Sequence, residues 1–197
     1  MHEHHDHGPG HFDPHRLYAM EERRRAETPP EDVLKAFVQP DMRQLADIGC
    51  GSGFFTVAAA RLLPDTRIFA VDRQQDMLDF VASRVRDAGL LNVETVPADA
   101  TGLPFADGDL DAVLMANVFH DIPERDATLS EVHRVLKPGG VYFLIEWEKD
   151  DTPMGPPQEI RIGADELTAL LAAQGFAVEK IEHGPGSTYR VLAVRIA

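Results

Sequence analysis

The chain has 197 residues, 44% of them hydrophobic, and carries 33 acidic against 19 basic side chains for a formal net charge of −14. That length suits one domain with a sizeable core, and the negative balance disfavours a phosphate-rich partner such as nucleic acid. A single cysteine, Cys50, excludes an intramolecular disulfide and any CxxC metal site, and no apolar run reaches the length of a membrane span.

Residues 1–11 interleave His2, His4, His5, His7 and His11 with Glu3 and Asp6. Such a composition buries no core, so a disordered tail is expected. Its imidazoles and carboxylates either capture nickel, zinc or copper weakly or have no role in metal binding, and no metal site is assigned. The tail lacks the basic-then-apolar pattern of a secretory signal, which makes a cytoplasmic location the expectation.

Residues 12–40 read as a helical cap of two short helices broken at Thr28-Pro29-Pro30. Thr28 is a candidate N-cap for the second helix, whose apolar stripe is Val33, Leu34, Phe37 and Val38. The run Arg23-Arg24-Arg25, flanked by Glu21, Glu22 and Glu27, reads as a solvated face. Phe12 and Tyr18 either line a pocket or pack a helix onto the sheet edge.

Residues 41–197 carry the pattern of an α/β domain. Leu45 to Ile48 is a strand that stops at Gly49, Gly51 and Gly53, and a helical run through Val57, Ala58 and Leu62 follows. Strand, glycine turn and helix together present backbone N–H groups to a ligand at the strand's carboxyl end. A dinucleotide fingerprint would place its third glycine at position 54, which is Phe54 here. Thr66 to Val71 is the second strand. It ends at Asp72, 23 residues after Gly49, close to the roughly 20-residue spacing at which a carboxylate meets a ribose diol. A 2′-phosphate would be repelled there.

Gln75 to Ala88 is a helix stopped by Gly89, and Asn92 to Pro97 a third strand followed by Asp99 and Ala100. Ala112 to Ala116 is a continuous apolar run suited to a central parallel strand, ending at Asn117-Val118-Phe119-His120. Pro123 to Leu136 is a helix terminated by Lys137-Pro138-Gly139-Gly140, and Val141 to Trp147 is a fifth strand. A proline-punctuated loop over 148–163 reads either as a lid or as a surface excursion. Ala164 to Gln174 is the last helix, before a hairpin of Phe176–Glu182 and Ser187–Ile196.

Two stretches carry a family resemblance. Asp47-Ile48-Gly49-Cys50-Gly51-Ser52-Gly53 resembles the first motif of class I S-adenosylmethionine (SAM) dependent methyltransferases. The stretch from Glu131 to Gly140 resembles the corresponding region of small-molecule methyltransferases, some of which serve quinone and lipid-like metabolite pathways. The resemblance covers residues 30–197. It implies a three-layer Rossmann-like sandwich whose seven-stranded, mostly parallel sheet ends in an antiparallel C-terminal hairpin strand.

It also implies SAM as cofactor, with S-adenosylhomocysteine (SAH) as product. Asp47, Gly49, Cys50, Gly51 and Gly53 would surround the methionine part, Asp72 and Arg73 the ribose, and Asp99 and Ala100 the adenine. Asn117 would face the methyl donor. His120 is either a general base, its ordinary pKa lying near neutrality, or a pocket-wall histidine. The resemblance implies a small, apolar or aromatic acceptor, and the absence of a Pro-Pro-aromatic sequence after Asn117 argues against exocyclic base amines and glutamine amides. Two rival readings are an NAD-linked oxidoreductase and a non-catalytic SAM-binding or metal-sensing protein that uses the histidine tail.

Overall fold

A computed structural model, describing residues 12–39, 41–152 and 155–196, arranges seven strands in one sheet. The histidine tail lies outside the described residues. The strands are β1 (Gln44–Ile48), β2 (Arg67–Asp72), β3 (Val93–Pro97), β4 (Leu110–Ala116), β5 (Leu136–Trp147), β6 (Phe176–Gly184) and β7 (Thr188–Arg195). Their order is β3-β2-β1-β4-β5-β7-β6; the first five run parallel and β7 is antiparallel to both neighbours. The winding reverses between β1 and β4, and a crevice opens at such a reversal on the side of the strands' carboxyl ends.

Among the described residues seven α-helices complete the layers: α1 (Pro14–Ala19), α2 (Glu21–Glu27), α3 (Pro30–Lys35), α4 (Phe54–Leu62), α5 (Gln75–Asp87), α6 (Arg125–Val135) and α7 (Ala164–Ala173). Successive residues of a strand face opposite sides, and the central strands are apolar on both. Leu45, Leu114 and Phe143 meet α3 and α4 on one face, while Ala46, Met115 and Leu144 meet α6 and α7 on the other. Phe37 stacks on Phe143 at 4.3 Å between ring centroids and fastens the segment after α3 to the sheet. Among the described residues no helix is long and apolar enough to cross a membrane.

The architecture matches the sandwich the sequence implies, with three local corrections. Among the described residues before β1 there are three helices, because the chain breaks at Met20 as well as at Thr28. Thr28 closes α2 at its C-terminus; α3 starts from Pro29 with Pro30 in its first turn and has no side-chain cap. Strand β5 begins at Leu136, ahead of the Lys137–Gly140 turn, so this turn is a bulge within the strand and not its leading boundary. Pairing passes from Leu110↔Leu136 directly to Ala112↔Val141, and that shift sets Ala116 opposite Ile145 at the carboxyl end. The residues just after β4 therefore lie beside Glu146.

Candidate active site

The glycine loop leaves β1 by donating two N–H groups to one carbonyl: Gly49 N and Cys50 N lie 2.8 and 3.0 Å from Val71 O. Gly49 and Gly53 have φ of +68° and +82°, values a Cβ disfavours. A methyl group at Gly49 would also sit 2.6 Å from both Val118 γ carbons, and one at Gly53 would be 3.0 Å from Val81 Cγ2. These glycines thus let the loop pack against the chain after β4 and against α5. Leu17 of α1 reaches within 3.3 Å of the place a side chain on Gly51 would take. Cys50 is buried beside Asp47 and Asp72, and burial with those two carboxylates raises its thiol pKa. It stays protonated and is no nucleophile.

Two carboxylates flank the loop. Asp47, 2% exposed, accepts from Thr56 Oγ1 at 2.6 Å. Burial pushes its carboxyl up to about 6, against the Thr56 hydrogen bond and with a further push from Asp72. Asp72 accepts from Gly51 N at 3.1 Å through Oδ2 and from Gln74 N at 3.0 Å through Oδ1. Burial raises its carboxyl too, although these hydrogen bonds oppose the shift. Each Asp72 oxygen keeps a lone pair for a further donor. Asp99 is exposed and turns Oδ1 onto Thr101 N and Oγ1, at 2.9 and 2.7 Å, which holds its carboxyl below the ordinary range. Ala100 follows it at the end of β3, and Arg73 is exposed next to Asp72 within electrostatic reach of Asp99 and Asp121.

The segment read as a solvated charged face is only partly one. Arg23 and Glu27 do pair at the surface. Glu21, however, is buried, and it accepts from Ser52 Oγ of the glycine loop at 2.8 Å and from Arg84 Nη1 and Nη2 at 2.6 and 2.9 Å. Arg84 also donates to Ser52 O and lies 4.6 Å from the Tyr18 ring centre. This cluster ties α2, the glycine loop and α5 together. Arg24 places its guanidinium 4.7 Å from the Phe54 ring centre and within the fields of Glu21 and Asp47. Tyr18 packs edge-on against Phe80 of α5, and Phe12 N donates to Gln74. Both aromatics are half exposed on the α5 flank.

At the end of β4 Asn117 takes the left-handed conformation, φ +56°, while donating its N–H to Ile145 O. Among the described residues its side-chain Oδ1 is buried with no partner, and a buried polar atom left so is a place for a ligand donor. His120 follows in a short 3-10 turn. Its Nδ1 lies 2.7 Å from Glu146 Oε2, and Nε2 lies 3.5 Å from Asp121 Oδ2. Burial works against a charged imidazole, but the Glu146 hydrogen bond and charge outweigh it and raise the pKa. Glu146 is fully buried and accepts through Oε1 from Phe119 N at 2.9 Å.

The expected residues therefore gather along the carboxyl ends of β1 to β4. Glu146, the Glu21–Ser52–Arg84 cluster and Arg24 went unread. The available signal for Glu146 was a lone acid inside the apolar run Val141–Trp147. For Glu21 there was none, since its partner stands 63 positions away.

A doubly wound sheet in this order, its reversal crevice lined by the glycine loop and a carboxylate at the end of β2, defines the class I SAM-dependent methyltransferase fold. Comparison with known proteins carries this to the family: the model of the methyltransferase domain family matches residues 46–144, and the chain belongs to that family. SAM is the methyl donor of the class and SAH the product. A demethylmenaquinone methyltransferase from Geobacillus stearothermophilus is 30% identical over 59% of this chain and 50% of its own length. A ubiquinone/menaquinone biosynthesis C-methyltransferase from Shewanella halifaxensis is 34% identical over 59% of this chain and 47% of its own. The chain thus spans about half the length of the curated relatives it matches. The crystal structure of a SAM-dependent methyltransferase from Aquifex aeolicus superposes with a TM-score of 0.86 at 28% identity, over 94% of this chain and all of that one.

Proposed function

We propose that the protein is a methyltransferase that moves the methyl group of SAM by in-line displacement to a small aromatic acceptor of the quinol type. The observation that carries this reading is the pair Asp47 and Asp72 on the glycine loop. Both are buried carboxylates with raised pKa and little cationic compensation, a setting suited to a ligand that brings its own ammonium group and hydroxyl donors. In this reading Asp47 orders the loop and receives the methionine amine, Gly49, Cys50, Gly51 and Gly53 surround the amino-acid part, and Arg24 receives its carboxylate. Asp72 accepts the ribose hydroxyls with Arg73 beside it, and Asp99 with the Ala100 N–H meets the adenine. Asn117 Oδ1 faces the sulfonium end. Residues 12–40 act as a cap over the donor site and 41–197 as the methyltransferase domain. SAM, when bound, supplies an electrophilic methyl and a neutral thioether leaving group; the protein's share is to align the acceptor and exclude water.

The quinol acceptor class is supported by the names of the two quinone-pathway relatives. Calorimetric titration of the full chain with SAM, SAH and NAD tests the donor site, followed by methyl transfer to 1,4-naphthohydroquinone kept reduced. SAH binding that is lost in Asp72→Ala, together with methylation of the quinol, is the expected result. Selective NAD binding would overturn the reading.

A further inference from the structure

The strongest feature outside the donor site is the buried contact between His120 and Glu146. Glu146 follows an unbroken apolar run, Val141 to Ile145, yet it is 0% exposed. Burying a carboxylate is costly unless its oxygens are satisfied. Oε1 faces Phe119 N at 2.9 Å and His120 N at 3.4 Å, and Oε2 faces His120 Nδ1 at 2.7 Å and Trp147 N at 3.4 Å. Pinning the turn after β4 would need only the backbone contacts. The contact with Nδ1 fixes the ring. With Oε2 as acceptor, Nδ1 is the nitrogen that carries the proton, which leaves Nε2 with a free lone pair.

Building on the methyltransferase reading, we infer that Glu146 is a positioning residue that holds His120 with Nε2 as the proton acceptor of the transfer, and that the acceptor substrate bears an ionisable aromatic hydroxyl. The proton count supports this. An acceptor that gains a methyl as a cation equivalent must lose one proton to become neutral product, and His120 Nε2 takes it. A phenol or hydroquinone is a weak nucleophile until that O–H proton leaves, whereas a neutral amine or a thiolate attacks without such help. The charged and titratable groups facing His120 are Glu146 from β5, Asp121 from its own turn and Arg125 from α6. Asp121, a third exposed and 3.5 Å from Nε2, faces the resulting imidazolium on the solvent side and offers the proton a way out.

The test is the Glu146→Gln variant, which keeps an acceptor for Phe119 N and removes the carboxylate. In nitrogen NMR of the histidine-labelled full chain, wild-type His120 should show the Nδ1–H tautomer, and adding 1-naphthol to the SAH-bound protein should shift its Nε2 signal. Methylation of 1,4-naphthohydroquinone should rise with pH through the titration that NMR assigns to His120. In Glu146→Gln that limb should move to lower pH and kcat should fall about 100-fold, the lower end of general-base effects, with SAH affinity unchanged. Wild-type kcat and an unmoved limb in Glu146→Gln would overturn the inference. So would a wild-type Nε2 signal indifferent to 1-naphthol, or turnover confined to anilines and thiols. Failure of the wild-type protein to bind SAH would instead remove the methyltransferase reading and leave the tautomer assignment standing.

Discussion

The two ends of the sheet treat their carboxylates in opposite ways. At the amino ends Asp111 of β4 accepts from Arg43 N and Gln44 N at 2.7 and 2.9 Å and pairs with Lys137. Burial pushes its carboxyl up, and these partners together hold it below the ordinary range. At the carboxyl ends burial raises the carboxyls of both Asp47 and Asp72, and the Asp72 charge adds to the rise at Asp47. Asp111 locks β1 to β4 and β5. Asp47 and Asp72 weaken the ligand-free fold and become useful when a ligand supplies the missing donors. Stability and binding are thus assigned to opposite edges of one sheet.

The sharpest way to break this comparison is Asp72→Ala. Two hydrogen bonds from a ligand's hydroxyls to a charged acceptor are worth enough together that SAH affinity should fall about 1,000-fold, while the melting temperature of the ligand-free protein falls less than in Asp111→Ala, because removing a carboxylate whose charge burial disfavours offsets the acceptor lost to Gly51 N and Gln74 N. A fall as large as in Asp111→Ala with intact SAH affinity would place Asp72 with Asp111. Next comes Asp47→Asn, which keeps an acceptor for Thr56. The folded carboxyl titrates at about 6 against an ordinary 3.8, so between those values the folded chain holds a proton that the unfolded chain has released. Stability contributed by the neutral carboxyl is therefore lost as pH rises through that window, by about 3 kcal/mol in all. The variant should recover that amount in denaturant unfolding at pH 7.5 and show no gain below about pH 3, well under the ordinary value, where wild-type Asp47 is protonated in both states. The mirror case is Asp111→Ala: loss of about 1–3 kcal/mol of stability with two backbone donors left bare, and no change in SAH affinity. Because the Asp111 carboxyl is depressed in the fold, its contribution is present above the ordinary carboxylate range and lost as pH falls through the depressed value.

Much of this was legible in the chain itself. The strand–glycine–helix pattern at 45–63, the acid at Asp72 and the apolar run before Asn117 depend on local periodicity and on spacings within one βαβ unit, and each stands where the pattern put it. The register of β5 was misread because Lys137-Pro138-Gly139-Gly140 has the chemistry of a helix stop, and a stop and a bulge use the same residues. The His120–Glu146 contact spans 26 positions and exists only because that bulge brings Ala116 level with Ile145. Glu21 looked solvated for a similar reason: its charge pattern is that of a surface helix, and only packing α2 over the glycine loop buries it.

The smallest expected effect belongs to Arg24, and it sharpens the comparison by dividing the donor site itself. Asp47 and Asp72 together repel an anionic group, so the carboxylate of a bound amino acid needs a cation on the cap side of the loop. Arg24 leans on Phe54, the first residue after Gly53, and is held in the field of Asp47. Burial lowers its pKa, with Glu21 and Asp47 pulling the other way. Arg24→Met keeps the apolar stem against the Phe54 ring and removes the charge. SAH should then bind about 10-fold more weakly, the worth of one charge-assisted contact at a partly solvated site. 5′-Methylthioadenosine has the same nucleoside and no amino-acid carboxylate, so its affinity should not move. Equal losses for both ligands would mean that the variant loosens the cap as a whole; a loss for SAH alone assigns the cap one end of the zwitterion and the β1 carboxylate the other.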